Sequence, residues 1–175
     1  MPAKAGIRQK ETDMKKADIL ISGGGIAGLA LAGILGNAGF SVHLIDGAKP
    51  ESLLDSPPSG RTVALMNSSL NILHATDIKN NLLEQAAPLK TMRIIDDSKP
   101  NNPAPPVDFH AADIGLEQFG FNIPNNVLRA ALYKAVQKIP SVTLHMPDTL
   151  AGYTVEPDRV KSQLASGVKI SSSLI

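Results

Sequence analysis

Two short apolar runs flank a longer apolar segment near the start of the chain. Residues 17–22 (ADILIS) and 40–46 (FSVHLID) are rich in aliphatic side chains, as buried parallel strands are. The segment 26–38 between them has the length of a helix, and Gly39 stands where a left-handed residue would end it. The pattern predicts a βαβ unit whose two strands are parallel neighbours in one sheet.

The middle of the chain has a less regular pattern. Residues 62–78 (TVALMNSSLNILHATDI) predict a helix that starts near Asn67. Residues 90–96 and 107–114 predict strands on either side of a proline-rich linker. After Pro140, short alternating runs predict one strand followed by a small antiparallel meander.

A second long helix is predicted over residues 126–138 (NVLRAALYKAVQK), with Asn125 as its N-cap. Its apolar face is predicted to carry Val127, Ala131, Tyr133 or Lys134, and Ile139.

Three glycines between the first strand and the first helix form a GxGxxG motif. Gly23 permits a tight turn, Gly25 leaves room for a pyrophosphate against the backbone, and Gly28 lets helix and strand pack closely. The amides at the helix N-terminus, which include those of Ile26 and Ala27, would then face the phosphate charge. The sequence therefore predicts a dinucleotide-binding site at this turn.

The residues that follow the motif support this interpretation. The helix face turned to the sheet is predicted to carry Gly28, Ala32, Leu35 and Gly39. Asp46 ends the second strand about 20 residues after Gly25, where a carboxylate accepts hydrogen bonds from ribose hydroxyls. An acid there disfavours a 2′-phosphate, and therefore NADP. These residues alone leave FAD and NAD as alternatives.

The composition narrows the classes of function. The chain has 175 residues, 43% hydrophobic and 19% charged, which is typical of a globular protein large enough for its own core. It has no cysteine, so disulfides and thiolate metal sites are excluded, and its four histidines lack the spacing of metal ligands. Aromatics at 3% and a basic excess confined to the first 17 residues argue against nucleic-acid binding. Residues 1–16 are predicted to be a disordered polar tail.

Three blocks of the sequence resemble one known family. GGGIAGLALAGILGNAGFSVHLID resembles the opening of the FAD-dependent aromatic hydroxylases, the class A flavoprotein monooxygenases, and specifically their ubiquinone-biosynthesis branch. That family usually ends this strand in Glu, so Asp46 is a departure that keeps the carboxylate and shortens its reach. SGRTVALMNSSLNIL resembles a family block in which an arginine lies along the flavin, which matches Arg61. GFNIPNNVLRAALYKAV resembles the segment that places Asn125 and Arg129 near the flavin.

Each of these three residues has an ordinary alternative. Arg61 would otherwise be a loop cation, Asn125 an N-cap and Arg129 a solvated helix charge. For Asn125 the two roles are compatible.

The resemblance implies a fold and an activity. The expected fold is α/β: a Rossmann-like FAD/NAD(P)-binding fold with a parallel sheet, a β-meander and part of a substrate-domain sheet. Residues 17–175 would form an incomplete FAD-binding domain, with about 88–122 contributing to the substrate-domain sheet. FAD would be the cofactor and NAD(P)H the co-substrate of a monooxygenase that hydroxylates a polyprenylated phenolic ring with O2 in ubiquinone biosynthesis. In such enzymes the cofactor supplies the difficult chemistry and the protein binds and orients it.

The family's later ADG and GD segments are absent from these residues. We therefore expect a C-terminally truncated enzyme that is inactive as this fragment. The implied location is cytoplasmic, with peripheral association at the inner membrane or with a ubiquinone-biosynthesis complex. The alternative function is a stand-alone NAD- or FAD-binding module, or another FAD oxidoreductase.

Overall fold

The computed structural model describes residues 14–54, 57, 60–73, 82–98 and 104–175. Three predicted segments lie partly outside the described residues: most of the tail, the end of the helix that starts near Asn67, and part of the proline-rich linker. The predicted tail is nevertheless wrong at its end, because Lys15 and Lys16 already belong to the first strand.

The described residues form eleven strands, four α-helices and one 3-10 helix. The strands are β1 (Lys15–Ser22), β2 (Val42–Ile45), β3 (Thr62–Met66), β4 (Ala87–Leu89), β5 (Thr91–Ile94), β6 (Val107–His110), β7 (Gly120–Pro124), β8 (Val142–His145), β9 (Leu150–Val155), β10 (Val160–Leu164) and β11 (Lys169–Leu174). The helices are α1 (Ile26–Asn37), α2 (Pro50–Leu54), α3 (Asn67–Leu73) and α4 (Asn125–Val136), with a 3-10 helix at Ala111–Ile114.

The predicted βαβ unit is confirmed. β1 and β2 are parallel neighbours, with Ile19 opposite Val42, and α1 connects them. After α1 the chain turns at Gly39, whose φ of 92° is the left-handed conformation predicted for the end of the helix.

The main sheet has six strands in the order β8-β2-β1-β11-β10-β9. The first four are parallel, and β11, β10 and β9 form antiparallel pairs. The predicted strand and meander after Pro140 are therefore confirmed. The chain thus has the α/β fold, with a parallel sheet and a β-meander, that the sequence predicts.

The larger core lies between the helices and one face of the main sheet. Most of its buried side chains come from β1, β2, α1 and α4, and include Ile21, Leu29, Val42, Leu44, Leu128 and Leu132. A smaller cluster on the opposite face joins the parallel strands to the meander through Leu20, Ile45, Leu164 and Ile170. The first helix therefore sits on the sheet with its N-terminus at the carboxyl end of β1, where the candidate site begins.

Two smaller antiparallel sheets lie within residues 62–124, with strand orders β3-β7-β4 and β5-β6. Strands β3, β4 and β7 were not predicted, because they are short and follow no strict alternation of polar and apolar residues. The strand predicted over 107–114 ends early: it stops at His110, and a 3-10 helix follows that ends at Gly115 with φ 73°. The start predicted for α3 at Asn67 is confirmed.

Both predicted long helices differ from the structure in detail. Pro124 occupies the N-cap position of α4, so Asn125 is its first residue and does not cap it. On α4, Tyr133 is buried as predicted, and Val127 and Ala131 pack partly buried against the core, but Leu128, Leu132 and Val136 supply the rest of the buried face. On α1, Ala32 is buried as predicted, but Gly39 is exposed and Leu29, Gly33 and Gly36 complete the buried face.

Across the described ranges, no helix combines the length and the apolar character that crossing a bilayer requires.

Candidate functional site

The glycine motif forms a tight turn between β1 and α1. Gly23 has φ 116°, a conformation that L side chains rarely adopt, and its amide donates a 2.8 Å hydrogen bond to the Ile45 carbonyl at the end of β2. This bond joins the turn to the neighbouring strand. The first predicted site glycine is therefore required by the backbone conformation itself.

The other two motif glycines face different surroundings. A Cβ built on Gly28 would lie 1.9 Å from the carbonyl oxygen of Gly23, so no side chain fits there without moving the backbone. A Cβ on Gly25 would meet nothing within 4 Å. Gly28 is therefore needed for packing within the protein, whereas the space in front of Gly25 is open to a ligand.

The helix N-terminus completes this open surface. Gly25 holds the N-cap position of α1 without any side-chain cap, and the first turn contains no acidic residue. The first amides of a helix, here those of Ile26 and Ala27, have no partner within the helix. Backbone donors and the positive end of the helix dipole thus meet beside the open space at Gly25, an arrangement that favours a negatively charged group.

Asp46 lies beside the turn, at the end of β2 as predicted. Its Oδ2 accepts a 2.6 Å hydrogen bond from the Gly24 amide, and its Oδ1 accepts a 2.7 Å hydrogen bond from the Ala48 amide. The side chain is 16% exposed. The carboxylate is therefore held in place by the backbone on both sides and still reaches the surface.

Arg129 reaches the same turn from α4. Its Nε donates to the Gly24 carbonyl over 3.0 Å, and its terminal nitrogen lies 3.5 Å from Oδ1 of Asp46. The tertiary fold thus brings the third resemblance block onto the first, although 105 residues separate Arg129 from Gly24. Arg129 is therefore not an ordinary solvated helix charge.

Arg61 and Asn125 are neighbours of each other. The Asn125 amide donates to the Arg61 carbonyl over 3.0 Å, because β3 and β7 are antiparallel and place Thr62 opposite Pro124. Asn125 precedes Arg129 by about one helical turn, so the start of α4 lies near the glycine turn. The Arg61 residue is exposed. Contact of either residue with a cofactor stays a prediction.

Sequence reasoning missed three participants. Gly24 is buried, and a Cβ on it would lie 2.9 Å from Cβ of Asp46. A Cβ on Gly36 would lie 2.5 Å from a Cγ2 methyl of Val142, so the middle of α1 rests directly on β8. The run of three glycines gave a signal for Gly24. The amide of Ala48 had none, because a backbone donor leaves no trace in side-chain identity.

A pair of histidines lies on two neighbouring strands, with His43 on β2 and His145 at the end of β8. His43 and His145 share a hydrogen bond of 3.1 Å between Nδ1 and Nε2, and their ring centroids lie 5.0 Å apart. Burial, then the nearby His145 and Lys15, lowers the pKa of His43 to about 4. Burial also lowers the pKa of His145. Both rings are therefore neutral near pH 7, and the pair forms part of the fold rather than of the phosphate site.

A family of FAD binding domains matches residues 16–170 of the chain. Among the curated relatives, ubiquinone hydroxylase UbiL of Rhodospirillum rubrum is 29% identical over 162 residues, which covers 92% of this chain and 36% of the relative. The 3-demethoxyubiquinol 3-hydroxylase of Escherichia coli is 31% identical over 159 residues, covering 90% of this chain and 40% of the relative. The chain thus spans well under half the length of these two relatives.

Solved structures share the fold. The p-nitrophenol 4-monooxygenase PnpA of Pseudomonas putida superposes with a TM-score of 0.70 at 17% identity, covering 92% of this chain and 40% of that one. The flavin-dependent monooxygenase PieE, solved with FAD and substrate, superposes with a TM-score of 0.69 at 20% identity, covering 91% of this chain and 29% of that one. At these identities the likeness concerns the fold alone.

Proposed function

This chain belongs to the FAD binding domain family, and we propose that its glycine turn holds the pyrophosphate and adenosine half of FAD within a flavin-dependent hydroxylase. FAD is the cofactor of this family. The observation that carries the proposal is the contrast between Gly28 and Gly25. The space beside Gly28 is filled by the protein's own backbone, whereas the space beside Gly25 is open and borders the amides at the N-terminus of α1.

Different residues around this opening bind different parts of the cofactor in the proposal. In the proposal, Gly23 and Gly28 shape the turn, and the amides of Gly25, Ile26 and Ala27 meet the pyrophosphate. Asp46 presents its exposed edge to the adenosine ribose, because each carboxylate oxygen can accept more than the one strong hydrogen bond it already receives.

The start of α4 extends the site. In the proposal, its other wall consists of Arg61, Asn125 and Arg129, and the exposed Arg61 and the Asn125 side chain meet the cofactor beyond the pyrophosphate. When bound, FAD supplies the redox chemistry, while the chain's residues bind it, orient it and shield its adenosine end. The described residues therefore serve binding and orientation.

For the whole protein, we propose hydroxylation of a polyprenylated phenolic ring with NAD(P)H and O2, as the names of the ubiquinone hydroxylases suggest. Residues of about 88–122 would contribute to the sheet that faces the substrate. Support comes from β5 and β6, whose exposed side chains include Met92, Ile94, Val107 and Phe109. Such an apolar ribbon suits a substrate with a long apolar tail and a cytoplasmic enzyme working at the surface of the inner membrane, alone or in a biosynthetic complex.

The test uses the purified chain and two ligands. We expect FAD to remain with the protein through gel filtration, to show a bound-flavin absorption spectrum, and to resist displacement by NAD. Gly25→Leu fills the opening while leaving Gly23 and Gly28 in place, so it should abolish binding. A colourless chain that binds NAD tightly would contradict the proposal and favour a stand-alone NAD-binding module.

A further inference from the structure

The hydrogen bonds of Asp46 join three segments of the chain: the end of β2, the end of β8 with the loop after it, and the glycine turn. Its amide donates to the His145 carbonyl over 3.2 Å, and its carbonyl accepts a 3.0 Å hydrogen bond from the Asp148 amide, so the end of β2 is fixed to the loop after β8. Its carboxylate accepts from Gly24 and from Ala48. Because these hydrogen bonds fix the carboxylate, it can in turn fix the positions of the amides that donate to it.

Both backbone polar groups of Gly24 make hydrogen bonds to side chains. Its amide donates to Asp46 over 2.6 Å, and its carbonyl accepts from Nε of Arg129 over 3.0 Å. Arg129 and Asp46 also face each other across 3.5 Å, so the two side chains form one charged unit around a single glycine. Only glycine fits there, since a Cβ would lie 2.9 Å from Cβ of Asp46.

The hydrogen bond from Arg129 to the Gly24 carbonyl also sets the direction of the Gly25 amide. A trans peptide is planar, so the N–H of one residue points opposite to the C=O of the residue before it. Arg129 holds the Gly24 carbonyl towards the protein, and the Gly25 amide therefore points away from Arg129. A Cβ on Gly25 would meet nothing within 4 Å, so this residue borders open space.

We propose that Arg129 and Asp46 are positioning residues that clamp Gly24 and thereby aim the Gly25 amide at the cofactor pyrophosphate. The proposal rests on the function proposed above for the site as a whole. In it, Arg129 acts through Gly24 and not as a ligand of the cofactor. It also gives a reason for aspartate at position 46: the short side chain bonds the Gly24 amide directly, where a longer one would be pushed out by the close backbone.

The first experiment needs no cofactor. Amide hydrogen exchange of Gly24 and Ala48 is compared in the chain and in Arg129→Met, Arg129→Lys and Lys134→Met. Lys134 is an exposed cation on the same helix, so its variant is the matched control. We expect Arg129→Met to lower the protection of the Gly24 amide about tenfold, since a charged hydrogen-bond network is lost, and to leave Ala48 protected.

Arg129→Lys keeps the charge but loses the planar geometry that reaches the carbonyl and the carboxylate together. We expect it to restore only part of the Gly24 protection, and Lys134→Met to match the parent chain. Unchanged Gly24 exchange in folded Arg129→Met would overturn the proposal. If that variant does not fold by circular dichroism, Arg129→Lys decides in the same way.

The second experiment measures FAD affinity by quenching of flavin fluorescence. We expect Arg129→Met to weaken binding about tenfold, in step with the lost protection of Gly24. If Arg129→Met weakens FAD binding but leaves the Gly24 amide exchange of the cofactor-free chain unchanged, Arg129 would be a direct ligand of the cofactor. That result would overturn the clamp. If the parent chain binds no FAD, the proposed function fails, while the exchange of Gly24 still tests the clamp independently.

Discussion

A methyl group on Gly28 would lie 1.9 Å from the carbonyl oxygen of Gly23, which is well inside van der Waals contact. The start of α1 therefore rests on the turn that precedes it, with backbone on both sides of the contact. Because neither side can move like a flexible side chain, this contact fixes how far the helix N-terminus stands from β1. The geometry of the phosphate site depends on that distance.

The first prediction contrasts two motif glycines. Gly28→Ala should lower the free energy of unfolding by at least about 3 kcal/mol, because the added Cβ must push backbone apart. Gly25→Ala should change it by no more than about 1 kcal/mol, since its Cβ meets nothing and the N-cap has no side-chain bond to lose. Urea denaturation followed by circular dichroism measures both.

The Gly25→Ala variant also separates an effect on stability from an effect on cofactor binding. Gly25→Ala should weaken FAD binding at least about tenfold, because the methyl group enters the space of the pyrophosphate. A stable Gly25→Ala protein with unchanged FAD affinity would place the pyrophosphate elsewhere.

The second prediction concerns the packing of α1 against β8. Gly36→Ala should destabilise the protein by about 1 to 2 kcal/mol despite the better helix propensity of alanine, because its Cβ would lie 2.5 Å from Val142 and 2.9 Å from Ile139. Val142→Ala removes the nearer methyl group. In a double-mutant cycle the cost of Gly36→Ala should therefore shrink in the Val142→Ala background. A stabilised Gly36→Ala protein would show that the helix can lift off the strand freely.

The third prediction is a pH dependence. The pKa of His43 is lowered to about 4 in the folded chain and is near 6.5 when unfolded, so between these values the unfolded state binds more protons. Stability should be fully present above about pH 6.5 and should fall by about 2 to 3 kcal/mol as the pH drops to about 4. The groups that face His43 reinforce this direction, because His145 and Lys15 both disfavour its charge.

His43→Leu should flatten this part of the stability profile, measured by urea denaturation at pH 7, 6, 5 and 4. The exposed His110 serves as the control: His110→Gln should keep the slope of the parent chain. A steep slope that survives in His43→Leu would assign the titration to other groups.

The fourth prediction separates two roles of Asn125. Among the residues that the structure describes, its side chain makes no hydrogen bond, and Pro124 holds the N-cap position. Asn125→Ala should therefore change the free energy of unfolding by less than about 0.5 kcal/mol. If Asn125 contacts FAD as proposed, the same variant should still weaken FAD binding in a fluorescence titration. Lost stability with unchanged binding would return Asn125 to a purely structural role.

Local patterns were enough for the first βαβ unit. Strand, glycine turn, helix and strand follow one another within about 30 residues, and each has its own signal in side-chain type or spacing. The period of apolar residues also predicts the later helix, but it identifies only part of the buried face, because Val127 and Ala131 pack at the margin of the core and the leucines lie at its centre. Strands β3, β4 and β7 were missed because their pairing, over long separations, determines them more than their composition does.

The sequence by itself determined a glycine turn at Gly23, Gly25 and Gly28 with an acid at Asp46, because backbone freedom and charge are properties of single residues. Only the tertiary structure decided what Asp46 and Arg129 touch. Their contacts with Gly24 depend on the packing of α4 against α1 and on backbone amides that carry no sequence signature. A motif can therefore be recognised along the chain, whereas the clamp that shapes it depends on Arg129, which lies more than a hundred positions from the Gly24 that it contacts.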